Sequence, residues 1–367
     1  MKIGIITITE LSNFGNRLQN YALQTTLEKM GHEAETIPNY IIYRHFKQPM
    51  DKAKRLVVKG LGKRILRGDN LEIAELLKQR SFDSFDKKYI KKASDAYSDI
   101  HFITPDLGKQ YDCFVAGSDQ IWNPYFCFNF DFEFLRFADV GKRIAYSASF
   151  GVSHIPDEKV SYFGYALSEI PTISVREYTG RSIVKQLTGR DVPVTADPTL
   201  LLTKEEWSRI AKRPKWCDER ENYILVYFLG DPGRKNECLN SLIGEREAFH
   251  RCKVIDIHDP ENLKHFGIGP CEFIWLIQHA KCMITDSFHG TVFSILMEKP
   301  FISVQRQGSE ISMNSRIESL FFMLNIKQRD DMVYEHILEP EKVDDALHHQ
   351  RVVARDYLRK AISQVRT

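Results

Sequence analysis

The chain has 367 residues, 43% hydrophobic and 27% charged, with a net charge of +2; this is enough for two domains with separate cores and too neutral for bulk nucleic-acid binding. No apolar run nears the ~18 residues that span a bilayer, and the apolar part of Met1 to Glu10 is too short for a signal peptide. Seven scattered cysteines with no C-x-x-C pair point to a reducing cytoplasm and away from a disulfide framework or zinc site.

Residues 2–8 are rich in Ile and read as a buried parallel strand. The loop from Glu10 to Asn16 leads into a helix over 17–30, stopped by Gly31, and residues 33–38 read as the next strand. This β-loop-α-β order opens a doubly wound domain. Residues 46–67 carry eight Lys/Arg against one acid, Asp51. They fit either a solvated basic helix with one face on the core or a segment resting on an anionic membrane surface. Strands follow at 113–116 and 143–147, a helix at 158–169, a strand at 172–175, a helix to 187 and a strand at 192–196. Asp197-Pro198-Thr199 breaks the pattern and places a domain boundary near 198–222.

The alternation then restarts. Strands are expected at 223–229, 253–257, 282–286 and 301–304, with helices at 271–280, opened by Pro270, and at 290–299. The polar helical pattern over 340–366 is expected to pack back on the first domain. The class is α/β, with two Rossmann-like domains facing a cleft: residues 1–200, residues 201–340, and a C-terminal helix over 341–367.

Five segments carry side chains suited to chemistry. Asp286-Ser287-Phe288-His289-Gly290 lies at a strand-to-helix junction, where open α/β sheets place ligands. An imidazole can give or take a proton near neutral pH, which suits His289 to proton transfer, and the helix start offers N–H groups to an anion; a core histidine and a Ser287 N-cap are the plain alternatives. Gly117-Ser118-Asp119-Gln120-Ile121-Trp122-Asn123-Pro124 combines a carboxylate, amides, a hydroxyl and an indole, a mix suited to a sugar, though equally to an Asx-type turn. Phe14-Gly15-Asn16-Arg17-Leu18-Gln19-Asn20-Tyr21 sits at the first junction, with Asn16 as cap or ligand and Arg17 and Gln19 within reach of a cleft. No G-x-G-x-x-G or Walker A sequence occurs. Arg176, in Ser174-Val175-Arg176-Glu177, is suited to a carboxylate or phosphate, or to a plain pair with Glu177. Arg316, in Asn314-Ser315-Arg316-Ile317-Glu318, lies where a loop could close over a ligand or where Asn314 or Ser315 caps a helix.

Together these segments resemble the bacterial polysaccharide pyruvyl transferase family. The resemblance rests on six pieces in family order: residues 15–23, 115–124, Ser147-Ala148-Ser149-Phe150-Gly151, 174–177, Asp197-Pro198-Thr199-Leu200-Leu201, and 285–291. The first reads Gly-Asn-Arg-Leu-Gln where Gly-Ala-x-Leu-Gln is commoner. Ser287 stands where other members carry an arginine, so another cation or backbone N–H groups must hold a donor phosphate.

The resemblance implies an architecture like the B-type glycosyltransferases, with the acceptor on the first domain and the donor on the second. It implies phosphoenolpyruvate as donor and, as acceptor, a sugar of a surface polysaccharide, typically lipid-diphosphate-linked. The product would be a pyruvate ketal. Such a reaction requires no redox cofactor and no obligatory metal. It assigns His289 as acid, Asp119 as base, and Arg176 with the N–H groups of Phe288 to Gly290 as anion clamp. Asn16, Arg17, Gln19, Ser118, Gln120, Trp122, Ser287 and Arg316 are the remaining candidate contacts. A cytoplasmic protein, peripheral at the inner membrane face, would fit. The alternatives are a nucleotide-sugar-dependent glycosyltransferase and a non-catalytic carbohydrate-binding protein.

Overall fold

The computed structural model describes residues 1–9, 12–38, 70–93, 105–125, 130–245, 247–306, 314–326, 333–336 and 340–365; the basic segment 46–67 lies outside them. The first sheet contains β1 (Lys2–Ile6), β2 (Glu33–Thr36), β3 (Cys113–Gly117), β4 (Arg143–Ala148) and β5 (Thr172–Val175), all parallel, in the order β2-β1-β3-β4-β5. Its half of the chain carries α1 (Phe14–Lys29), α2 (Asn70–Tyr89), α3 (Pro105–Lys109), α4 (Phe130–Glu133), α5 (Asp157–Ser168) and α6 (Tyr178–Thr188).

The second sheet contains β6 (Tyr223–Tyr227), β7 (Lys253–Asp256), β8 (Cys282–Thr285), β9 (Phe301–Val304) and β10 (Val333–His336) in the order β10-β9-β8-β6-β7. Its first four strands run parallel, and β10 pairs antiparallel with β9. Its half of the chain carries α7 (Lys204–Ser208), α8 (Pro232–Glu245), α9 (Leu263–Phe266), α10 (Pro270–His279), α11 (Phe288–Leu296) and α12 (Ser315–Met323), and α13 (Pro340–Ser363) returns to the first sheet. The fold is α/β, with two Rossmann-like domains. No helix among the described residues is long and apolar enough to cross a membrane.

The central strands are apolar because both faces are covered. On one face Ile3, Ile5 and Val115 meet Leu23 and Leu27 of α1. Ala354, Leu358, Ala361 and Ile362 of α13 join them, spaced as one helical stripe. The Tyr357 hydroxyl of α13 donates to the Ala145 carbonyl at 2.8 Å, so the last helix is fastened to the first sheet. A larger apolar cluster joins the two halves: Phe14 of α1 stacks on Phe273 of α10 at 4.4 Å and meets Tyr227 of β6 edge-on.

Several boundaries differ from the sequence reading, for identifiable reasons. The first helix starts at Phe14, because Asn13 is its cap: its side-chain oxygen accepts from the Gly15 N–H at 2.8 Å. Asn16 therefore lies in the first turn of the helix and is not the cap. Residues 192–196 add a single parallel bridge, Val175 to Val194, rather than a strand, since Pro193 has no N–H to give a ladder. Asp197 caps the 3₁₀ turn Pro198–Leu201. Asn314 does not cap α12; it exchanges two 2.9 Å hydrogen bonds with the Arg306 backbone.

Candidate active site

The carboxyl ends of β3 and β5 on one sheet, and of β8 on the other, meet at one place. The chain after β3 turns through Asp119 at φ 52°, and within β4 Ser147 has φ 49°. Such left-handed conformations cost a non-glycine residue about 1–3 kcal/mol and gather at functional turns. The Asp119 turn is held by its carbonyl, which accepts from the Ser149 N–H at 3.0 Å.

The hub is Asp197, fully buried. One oxygen accepts from Ser118 Oγ at 2.8 Å and from Arg176 Nη1 at 2.8 Å, and lies 3.5 Å from His289 Nε2. The other accepts from the Thr199 N–H at 2.9 Å and hydroxyl at 2.7 Å. Burial alone would raise this carboxyl's pKa. The His289 interaction, then Arg176 and Thr199, outweigh burial and hold it well below the usual carboxylate range.

Arg176 is also fully buried. Beyond Asp197 it lies 3.7 Å from Asp119 and 3.8 Å from Glu177. Burial works against its charge, but Asp197, Asp119 and Glu177 together raise its pKa. The Phe288 ring lies over the guanidinium at 4.4 Å. Glu177 in turn accepts from Ser149 Oγ at 3.0 Å and from the Phe150 N–H at 2.9 Å. Asp119 accepts from Asn16 Nδ2 and from the Gln120 N–H.

The second domain delivers His289. Ser287 caps α11 by accepting from the Gly290 N–H at 3.4 Å. That leaves the Phe288 and His289 N–H groups as the helix's open donors. A Cβ placed on Gly15 would fall 1.9 Å from His289 Nδ1, so the imidazole occupies space that only glycine leaves. Asp286 does not face this centre: it accepts from the N–H groups of Leu229 and Gly230 at 2.8 and 2.7 Å and pairs with Arg306 at 3.3 Å. Arg316, on α12, is buried, and its pKa is pushed down to about 10 by that burial and by the Arg176 charge, with Glu177 and Asp119 opposing. It stands in the field of the same three residues.

Five buried polar atoms of this set make no hydrogen bond, namely Asn16 Oδ1, Arg176 Nε and Nη2, Glu177 Oε2 and His289 Nε2; all but Asn16 Oδ1 face an ionic partner at 3.5 to 3.8 Å. No group of metal-ligating His, Cys, Asp and Glu side chains is found among the described residues.

The structure brings Asn16, Ser118, Asp119, Arg176, Phe288, His289 and Arg316 together. It engages other candidates elsewhere. Trp122 is fully buried, stacks on Phe134 at 5.3 Å and donates to the Glu133 carbonyl at 3.3 Å; it is a core residue with no face for a sugar. Gln120 accepts from Asn123 Nδ2 at 2.7 Å, as the turn reading implies. Arg17 pairs with Asp86 of α2 at 2.8 Å, and Gln19 donates to Thr7 Oγ1 at 2.8 Å. Enclosed by three acids and a ring, Arg176 is a holder of Asp119 and Asp197 rather than an open clamp. Asp197 and Glu177 are the residues the sequence reading did not place in the site. Their signal was an acid directly after an apolar strand or before a Pro, which turn chemistry explains equally well.

The two α/β domains meet here over a buried histidine, buried arginines and buried carboxylates. The chain belongs to the polysaccharide pyruvyl transferase family, whose profile matches residues 13–308. No curated protein matches the sequence. Among solved structures, it is similar to UDP-GlcNAc 2-epimerase from Methanocaldococcus jannaschii (13% identity, TM-score 0.43, covering 95% of this chain and 100% of that one). It is also similar to UDP-GlcNAc 2-epimerase from Neisseria meningitidis (8%, 0.42, 98% and 100%) and to a glycosyltransferase from Streptomyces sp. SF2575 (13%, 0.34, 100% and 95%). These likenesses are remote, and the fold rests on the sheet order itself.

Proposed function

We propose that this protein transfers pyruvate from phosphoenolpyruvate to two hydroxyls of a surface-polysaccharide sugar as a cyclic ketal. The observation that carries the reading is the position of His289: at the start of α11, wedged against Gly15 and 3.5 Å from Asp197. Ketal formation begins with a proton delivered to C3 of the donor, which makes C2 electrophilic. His289 is the proton source, with the Asp197 carboxylate 3.5 Å from its Nε2. A sugar hydroxyl adds to C2 and gives its proton to Asp119. Phosphate then leaves, carrying the proton of the second hydroxyl as that oxygen closes the ring. Arg316 and the N–H groups of Phe288 and His289 hold the donor's phosphate and carboxylate, taking the place of the arginine that Ser287 replaces. Arg176 is a positioning residue that fixes both acids. General acid–base groups contribute about 10²–10⁴-fold. His289→Ala and Asp119→Asn should each lower acceptor-dependent phosphate release by that order with folding intact. Near-normal turnover in folded His289→Ala refutes the reading.

A further inference from the structure

A second constellation lies apart from His289, at the carboxyl end of β7, where α2 of the first domain meets α9 of the second. Lys78 of α2 is 95% buried, as its 5% relative exposure shows. Its ammonium lies 4.6 Å from the Phe266 ring centroid and 5.5 Å from that of Phe14. Among the described residues it has these ring contacts and no ion pair or hydrogen bond. His258, two residues past β7, has its ring 5.7 Å from the same Phe266 ring and 6.2 Å from Tyr227. Its buried Nδ1 has no hydrogen-bond partner. The nearby acid, Asp256, is already engaged: one oxygen accepts from the His258 N–H at 2.9 Å, the other from Lys235 Nζ at 2.7 Å.

A buried ammonium without a carboxylate is costly, and both groups register it. Burial pushes Lys78 down, with Glu75 opposing. Burial first, then the Lys78 charge, pushes His258 down to about 4, against the pull of Asp256. An incoming oxyanion would relieve both, pairing with Lys78 and drawing a proton onto His258. The surroundings of aromatic rings suit an organic carrier next to that anion. Phe14, whose ring lies 5.5 Å from the Lys78 ammonium, immediately precedes Gly15, against which His289 rests.

We propose that Lys78 and His258 form a second oxyanion site, for a phosphate or diphosphate group on an organic substrate distinct from the group held at His289. The site does not depend on which donor the His289 centre uses, so the two readings fail separately. The test titrates the full-length protein with inorganic pyrophosphate, following the His258 and His289 ring resonances by NMR and the affinity by calorimetry. The expected result is a shift of the His258 ring and a rise in its titration midpoint. Lys78→Met should weaken binding about tenfold or more, the worth of one charge-assisted hydrogen bond, and His258→Gln should weaken it less. A prenyl diphosphate in detergent micelles and a uridine-diphosphate sugar then identify the carrier: whichever shifts His258 at lower concentration bears the group. A wild-type His258 ring that ignores all three probes overturns the proposal, whether or not the variants fold. So does a folded Lys78→Met protein that binds pyrophosphate as wild type does.

Discussion

The contact between Gly15 and His289 can be broken by one methyl group. An alanine Cβ at position 15 would lie 1.9 Å from His289 Nδ1 and 2.5 Å from Cε1 and Cγ. Non-bonded heavy atoms settle at about 3.5 Å, so the ring must retreat by roughly 1.5 Å, or α1 must. Overpacking of this kind costs about 1–3 kcal/mol of stability, while misplacing a reacting group by 1 Å can cost ~10²-fold in rate. Gly15→Ala should therefore fold, melt a few degrees lower, and lose about 10²-fold in acceptor-dependent phosphate release. Gly244→Ala is the control: it lies on α8 with nothing within 4 Å of the added Cβ, and it should keep full activity. A Gly15→Ala enzyme as active as the control would refute the placement of His289 at the reacting centre.

Asp197→Asn removes the Arg176 guanidinium's nearest counter-charge, and breaking a buried pair this way costs about 3–5 kcal/mol, visible in denaturant unfolding. Because the folded carboxyl's pKa is depressed, its stabilisation is fully present above the unfolded value of about 3.9 and is lost as pH falls below it. The acid limb of wild-type stability should therefore flatten in the Asn variant, and an unchanged limb would contradict the hub. Arg316→Ala should raise the phosphoenolpyruvate KM about 30-fold or more, the usual loss for a buried charged contact; an unchanged KM removes it from the donor pocket. Trp122→Phe should cost about 1–3 kcal/mol of stability through the orphaned Glu133 carbonyl and leave the sugar KM alone; a raised sugar KM at full stability would return the indole to the acceptor surface.

His289 was legible because a histidine between an apolar strand and a helix start has few places to be except a sheet's carboxyl edge. The order of strands and helices was legible for the same reason, since burial on both faces leaves long apolar runs such as Cys113 to Gly117. Asp197 was not. Its neighbours Pro198 and Thr199 made it look like a linker turn, and it is one: the 3₁₀ turn it caps is what aims its other oxygen at Ser118 and Arg176. Trp122 shows the opposite error. An indole among polar residues suggested a sugar platform, but the turn of Asp119 sends it inward onto Phe134 and Phe150. Which face a side chain takes after a left-handed residue is a property of the tertiary turn, and no periodicity records it. Of the two readings of Asn16, the cap fails because Asn13, three residues upstream, caps the helix, and the Asn16 amide reaches Asp119 instead.

The most direct test of the central claim is the mass of the sugar product after incubation with phosphoenolpyruvate and candidate polysaccharide precursors. The account predicts an acceptor heavier by one pyruvate ketal, with one phosphate released for each, and no product from His289→Ala. An acceptor that gains a sugar residue from a nucleotide donor instead, or stays unmodified while phosphoenolpyruvate persists, would contradict it.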